Sequence, residues 1–120
     1  MVSDRLMELF RSATPQGPVP DATHRGAAGE PGCRPDVVVS FRAEDGVIRK
    51  ARSQTYGCPT SVACVEIVCR ISEGRLLSLF AERSPRDLSL LVGGVPEGKA
   101  HVPELVVRAL ARIAPVALDD

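Results

Sequence analysis

Two runs of residues joined by Asp45-Gly46 constrain the fold of this chain more than any other feature. Val37, Val39 and Phe41 alternate with Val38, Ser40 and Arg42, and a period of two belongs to a strand with one buried face. Asp45-Gly46 tolerates the positive backbone angles that a two-residue hairpin needs, so the chain is expected to return as a second strand. That hairpin occupies about residues 37–43 and 47–55. Beyond it, Val62, Ala63, Val65, Ile67, Val68 and Ile71 lie between Pro59 and Ser72. They cover most of the circumference of a helix, which predicts a central, buried one. Pro59 suits its first turn, where a missing amide hydrogen costs nothing, and Gly74 suits a left-handed stop.

The remaining segments supply further helices. Ser3 can cap a first helix whose apolar stripe is Leu6, Met7, Leu9 and Phe10. Leu76, Leu77, Leu79 and Phe80 form another short stripe, and Ser84 opens a helix through Leu88, Leu90 and Leu91 that Gly93-Gly94 ends. A last helix runs from Pro103 with Leu105, Val106, Ala109, Leu110 and Ile113 on one face. Residues 12–32 are rich in Pro, Gly, Ala and Thr without a sustained period, and read as an irregular arm with room for one short edge strand. The expectation is an α+β fold in a single domain of residues 1–120, a small antiparallel sheet packed against several helices.

Composition removes several function classes. Fifteen Lys and Arg balance fifteen Asp and Glu, so no global basic field attracts nucleic acid or an anionic membrane. Three Phe, one Tyr and no Trp leave no stacking platform for single strands. No apolar run approaches the roughly 20 residues of a membrane span, and the charged start lacks the form of a secretory signal. A cytoplasmic protein is expected, in which four cysteines are thiols or metal ligands rather than bridges. A phosphate-cradling Gly-rich loop and an HExxH pattern are both missing, and no signature of a thiol hydrolase surrounds any Cys-His pair. No turnover of a small-molecule substrate is expected.

Three loops carry the residues with chemistry. Cys33 lies in Gly32-Cys33-Arg34-Pro35, Cys58 in Gly57-Cys58-Pro59, and His101 in Lys99-Ala100-His101-Val102-Pro103. Each sits where a Pro- and Gly-flanked loop meets a regular element, which can bring three soft or borderline metal ligands to one surface. Cys58 precedes a helix N-terminus, where unpaired amides and the helix dipole stabilise a thiolate. Cys64 and Cys69 fall inside the apolar helix, five residues apart and so on nearly opposite faces, and read as small core residues.

From about Leu6 to Ile113 the order and wording of these loops resemble the NifU/IscU-type iron-sulfur cluster assembly scaffold. In that family a Gly- and Pro-punctuated arm ends at a first cysteine, here Cys33. A hairpin then leads to a Gly-Cys turn at the head of a helix, here Gly57-Cys58. A basic residue, a spacer, a histidine and a third cysteine follow near the end. This chain reads Lys99-Ala100-His101-Val102 there, with valine in the third cysteine's place. The aspartate that the family places two residues after its first cysteine is Pro35 here, and an acidic residue arrives one later as Asp36.

The resemblance implies a scaffold or carrier that binds a labile two-iron cluster ([2Fe-2S]) or iron through Cys33, Cys58 and His101, with Asp36 as a further ligand. It also implies a cysteine desulfurase as the sulfur donor and recipient apo-proteins as clients. Self-association is compatible with the same set. Two other readings use the same residues: a zinc site, and a noncatalytic protein that docks to a desulfurase or another assembly component.

Overall fold

The computed structural model of the chain describes residues 3–14, 16–29, 36–55, 59–76 and 84–116. Its elements run α1 (Asp4–Arg11), β1 (His24–Ala28), β2 (Val37–Glu44), β3 (Val47–Thr55), α2 (Pro59–Ser72), α3 (Pro85–Leu91), α4 (His101–Ala111) and β4 (Ala114–Pro115). The strands make one antiparallel sheet in the order β3-β2-β1-β4. With helices packed on one face, this is the expected α+β architecture.

The hairpin forms where Asp45-Gly46 predicts it. Both residues have positive φ, 54° and 78°, and Glu44 pairs with Val47, which is the turn whose twist matches that of the flanking strands. The register sets Val37 against Thr55, Val39 against Ser53 and Phe41 against Ala51. These residues share the helix-facing side, where Val37, Val39 and Phe41 are fully buried. Arg42 pairs with Lys50 and Ala43 with Ile48, leaving Arg49 as an extra residue. This bulge lets both Ile48 and Ala51 turn into the core although they lie three apart.

The arm departs from expectation. It contains β1, and β1 is an interior strand between β2 and β4 rather than an edge. His24-Arg25-Gly26-Ala27-Ala28 has no β-branched residue and little alternation, so local propensity does not announce a strand. Its position follows instead from distant partners: Gly26 lies opposite Val39, and α4 packs across β1. The two-residue β4 also lies outside the expected elements. The preceding arm is tied to the sheet. Gln16 Oε1 accepts from the Thr55 amide at 3.0 Å, the Gly17 amide donates to Ser53 O at 3.2 Å, and the Val19 amide donates to Ser40 Oγ at 2.9 Å. The arm therefore satisfies the outer edge of β3 and crosses the face opposite the helices before entering β1.

α2 is the central helix, as its all-round apolar pattern requires, with Ala63, Cys64, Val65, Ile67 and Val68 buried. Glu66 is also buried, and its carboxylate accepts from the Thr14 amide at 2.7 Å and Arg70 Nε at 2.8 Å. The charge is thus hydrogen-bonded and paired, as a buried charge must be. Ser3 Oγ accepts from the Leu6 amide at 3.0 Å and donates to Val92 O at 2.7 Å, which caps α1 and ties it to the end of α3. Leu6 and Leu9 are buried there, but Phe10 of the expected stripe is exposed. Leu76 pairs with Val47 as a β-bridge instead of opening a helix, and the rest of that stripe lies outside the described residues. α4 begins at His101, two residues before Pro103; proline is tolerated there because the first helical amides have no partner within the helix. Among the described residues, no helix is long and apolar enough to cross a membrane.

Candidate functional site

Antiparallel pairing of β2 with β3 brings the start of one beside the end of the other, Val37 against Thr55. At this end of the sheet a pocket of about 180 Å³ is lined by Asp36, Thr55, Ser61, Lys99, His101, Val102 and Leu105. Asp36 leads into β2 and Thr55 ends β3. Ser61 belongs to the first turn of α2, and the others come from the loop and first turns of α4. Three chain segments far apart in sequence therefore meet in one concavity.

Local chemistry explains how the α4 residues reach it. The Lys99 amide donates to Pro96 O at 3.0 Å, and the Val102 amide to Lys99 O at 3.0 Å. Gly98 is the third residue of the first of these turns, with φ of 86°, a conformation that favours glycine there. The turn delivers Lys99 half-buried and His101 exposed at the first position of α4, while Val102 is sealed into the pocket wall. The Ala100 cap offers no side-chain hydrogen bond, so the first amides of α4 add positive partial charge at this end. With the Lys99 ammonium, they make this side of the pocket favourable for an anion.

Of the four residues selected from sequence, His101 and Asp36 line the same pocket. The one-residue displacement of Asp36 does not remove it from the wall. Cys33 and Cys58 lie outside the described residues. Among the described residues, no three His, Cys, Asp or Glu side chains are grouped as a metal ion requires. Thr55, Ser61 and Leu105 also line the pocket, and nothing in the sequence pattern marked them.

The family model described as the NifU-like N terminal domain matches residues 1–114. The chain belongs to this NifU-like family. A relative named iron-sulfur cluster assembly scaffold protein IscU 1, from Archaeoglobus fulgidus, is 25% identical to this NifU-like chain over 112 residues, covering 93% of it and 73% of the relative. The iron-sulfur cluster assembly scaffold protein IscU of Aquifex aeolicus is 23% identical over 110 residues, covering 90% and 70%. The fold has solved counterparts. A protein assigned as a SUF-system scaffold, from Fervidobacterium islandicum, superposes with a TM-score of 0.68 at 13% identity, covering 91% of this chain and 93% of that one. A NifU-like N-terminal structure from Brucella abortus gives 0.58 at 20% identity, covering 92% and 76%.

The other two cysteines of this NifU-like domain have structural surroundings. Cys64 and Cys69 are buried in α2 and form no disulfide. Burial pushes the Cys69 thiol up from its usual 9.0 to about 12, with a hydrogen bond from Ser53 working the other way and the nearby Glu66 and Glu73 carboxylates adding to the rise. Cys69 lines a separate concavity with Thr14, Lys50 and Glu73, not the pocket that holds His101 and Val102, so it does not stand in for the third cysteine.

The same shift gives a stability prediction. Above about pH 9 the unfolded chain releases the Cys69 proton while the folded chain keeps it, so unfolding is favoured as pH rises towards 12. The expected loss is roughly 1 kcal/mol per pH unit across that window, with a constant contribution below it. Denaturant unfolding of wild type and Cys69→Val between pH 8 and 11 should show the steeper decline in wild type. Parallel curves would mean that the thiol titrates alike in both states.

Proposed function

We propose that this chain is an iron-sulfur cluster assembly scaffold or carrier that holds its cargo through Cys33, Cys58 and His101, with Asp36 completing the set. The observation that carries this reading is the meeting of Asp36, Thr55, Ser61 and His101 around one pocket. Asp36 is three residues from Cys33, and Cys58 is three residues from both Thr55 and Ser61. Three residues of chain span no more than about 11 Å, so the flanks of both cysteine loops support a shared site with His101. The names carried by the Archaeoglobus and Aquifex relatives support the same role.

The ligand chemistry suits this cargo. Iron with bridging sulfide favours thiolates, and imidazole or carboxylate can complete tetrahedral positions. A [2Fe-2S] cluster offers four terminal positions, which two thiolates, one imidazole and one carboxylate fill. Two hard or borderline ligands hold iron less firmly than four thiolates, which favours release to a recipient. Lys99 and the first turn of α4 offset the negative charge of the loaded site. Sulfur comes from a cysteine desulfurase, recipient apo-proteins take the cluster, and the setting is the cytoplasm. The chain acts as one domain over residues 1–120 and turns over no small-molecule substrate.

Anaerobic reconstitution with ferric iron and sulfide tests this reading. Wild type should acquire visible charge-transfer absorption that survives desalting, whereas a colourless protein would overturn it. Val102, buried in the pocket wall where it can bind no metal, favours a second reading in that event: a noncatalytic protein that keeps the scaffold fold for docking. Zinc uptake in place of iron would instead mark a tetrahedral zinc site on the same residues.

A further inference from the structure

Thr55 ends β3 at the floor of the candidate pocket, opposite Val37 on the helix-facing side of the sheet. It is 6% exposed, its amide is taken by Gln16 Oε1, and its Oγ1 is buried with no hydrogen-bond partner among the described residues. Arg42 Nε and Arg52 Nε are also buried without partners, but each belongs to a guanidinium with further donors, and neither residue lines this pocket. Thr55 Oγ1 is the orphan that belongs to the site.

A buried hydroxyl without a partner carries its desolvation cost and returns nothing to the fold. Valine has nearly the same shape, suits a half-buried strand at least as well and lacks that penalty. Packing alone therefore gives no reason for threonine here. A hydroxyl can donate one hydrogen bond, and thiolate or sulfide sulfur can only accept. As an alcohol oxygen is a poor ligand for soft metal-sulfur chemistry, its natural role is to orient a sulfur that does the binding.

We propose that Thr55 is a positioning residue whose hydroxyl donates an O–H···S hydrogen bond to a sulfur anion held in this pocket, a ligating thiolate or a bridging sulfide. This rests on the reading of the site as one that binds metal through thiolates. The hydrogen bond withdraws charge from the sulfur and restrains its direction, and such contacts tune both affinity and redox potential. Because the hydroxyl has no partner among the described residues, its contribution belongs to the loaded state.

The test uses cobalt(II) under anaerobic conditions as the probe, with Thr55→Val and Thr55→Ser compared to wild type. Wild type should show sulfur-to-cobalt charge-transfer absorption. Thr55→Val should weaken cobalt binding about 10-fold or more and shift that band, while Thr55→Ser restores both. The metal-free Thr55→Val protein should unfold at the same or a higher denaturant concentration than wild type. Equal cobalt affinity and an unchanged band in Thr55→Val would overturn this inference alone, as would a metal-free variant destabilised in proportion to its lost affinity. Failure of wild type to bind cobalt through sulfur would overturn the site reading and this inference together.

Discussion

Replacing Cys58 with alanine is expected to lower affinity for iron or cobalt by at least about 100-fold and to weaken the charge-transfer absorption. Loss of a group that merely orients a ligand costs 10–100-fold in metal affinity, and losing a ligand that itself carries charge costs more. The sequence marks Cys58 as the most consequential of the four residues: it immediately precedes Pro59, the first residue of α2, and a cysteine at a helix N-terminus is expected to favour the thiolate. Cys69 is not placed to take over, since it is buried in α2 and borders a different concavity. Cobalt titration followed by absorption checks this. A Cys58→Ala protein that binds as tightly as wild type would remove Cys58 from the ligand set.

The largest expected effect on stability is at Gly26. A Cβ added there would clash with the Ala109 carbonyl oxygen and lie 2.8 Å from Ile113 Cγ1 and 3.1 Å from the Ile113 amide nitrogen. Two of these obstacles are backbone at the end of α4, so no rotamer change relieves them. β1 and α4 approach backbone to backbone, and only glycine permits it. Gly26→Ala should cost about 3 kcal/mol, or roughly 10–15 °C in Tm for a domain of this size. Arg25→Ala, at an exposed neighbouring position, should change Tm little. Because α4 carries His101 at its other end, Gly26→Ala should also weaken metal binding through displacement of the helix. Thermal unfolding of both variants is decisive: a Gly26→Ala protein as stable as wild type would refute the close approach.

The contrast between Gly26 and Asp45-Gly46 shows what local sequence can disclose. Asp45 and Gly46 announce a hairpin because the turn's backbone angles are satisfied by those two residues themselves. The caps at Ser3 and Ser84 are equally local, each accepting from an amide three residues on, and α2 declares its burial in its own apolar circumference. Gly26 and β1 depend on β2 and α4, which are distant in sequence, and the five residues of β1 have weak strand propensity. The bulge at Arg49 is hidden likewise, because only pairing with β2 shows that one residue is extra.

The candidate site divides along the same line. His101 and Lys99 stood out through their place in a recognisable loop, and both line the pocket. Asp36 reaches the pocket despite its displaced position in the loop, since what places it is the pairing of β2 with the end of β3. Thr55 was invisible for a different reason. A threonine at a strand end is an ordinary β-former, and only burial without a hydrogen-bond partner among the described residues distinguishes this one.

The most direct measurement is the iron, zinc and acid-labile sulfide content of anaerobically isolated protein, combined with Mössbauer spectroscopy of the iron-57-enriched sample. A scaffold that holds a [2Fe-2S] cluster should contain iron and sulfide in about equal amounts and give quadrupole doublets of high-spin ferric iron in a sulfur-rich environment. Protein that carries zinc without sulfide, or neither metal after reconstitution, would contradict the cluster-binding role.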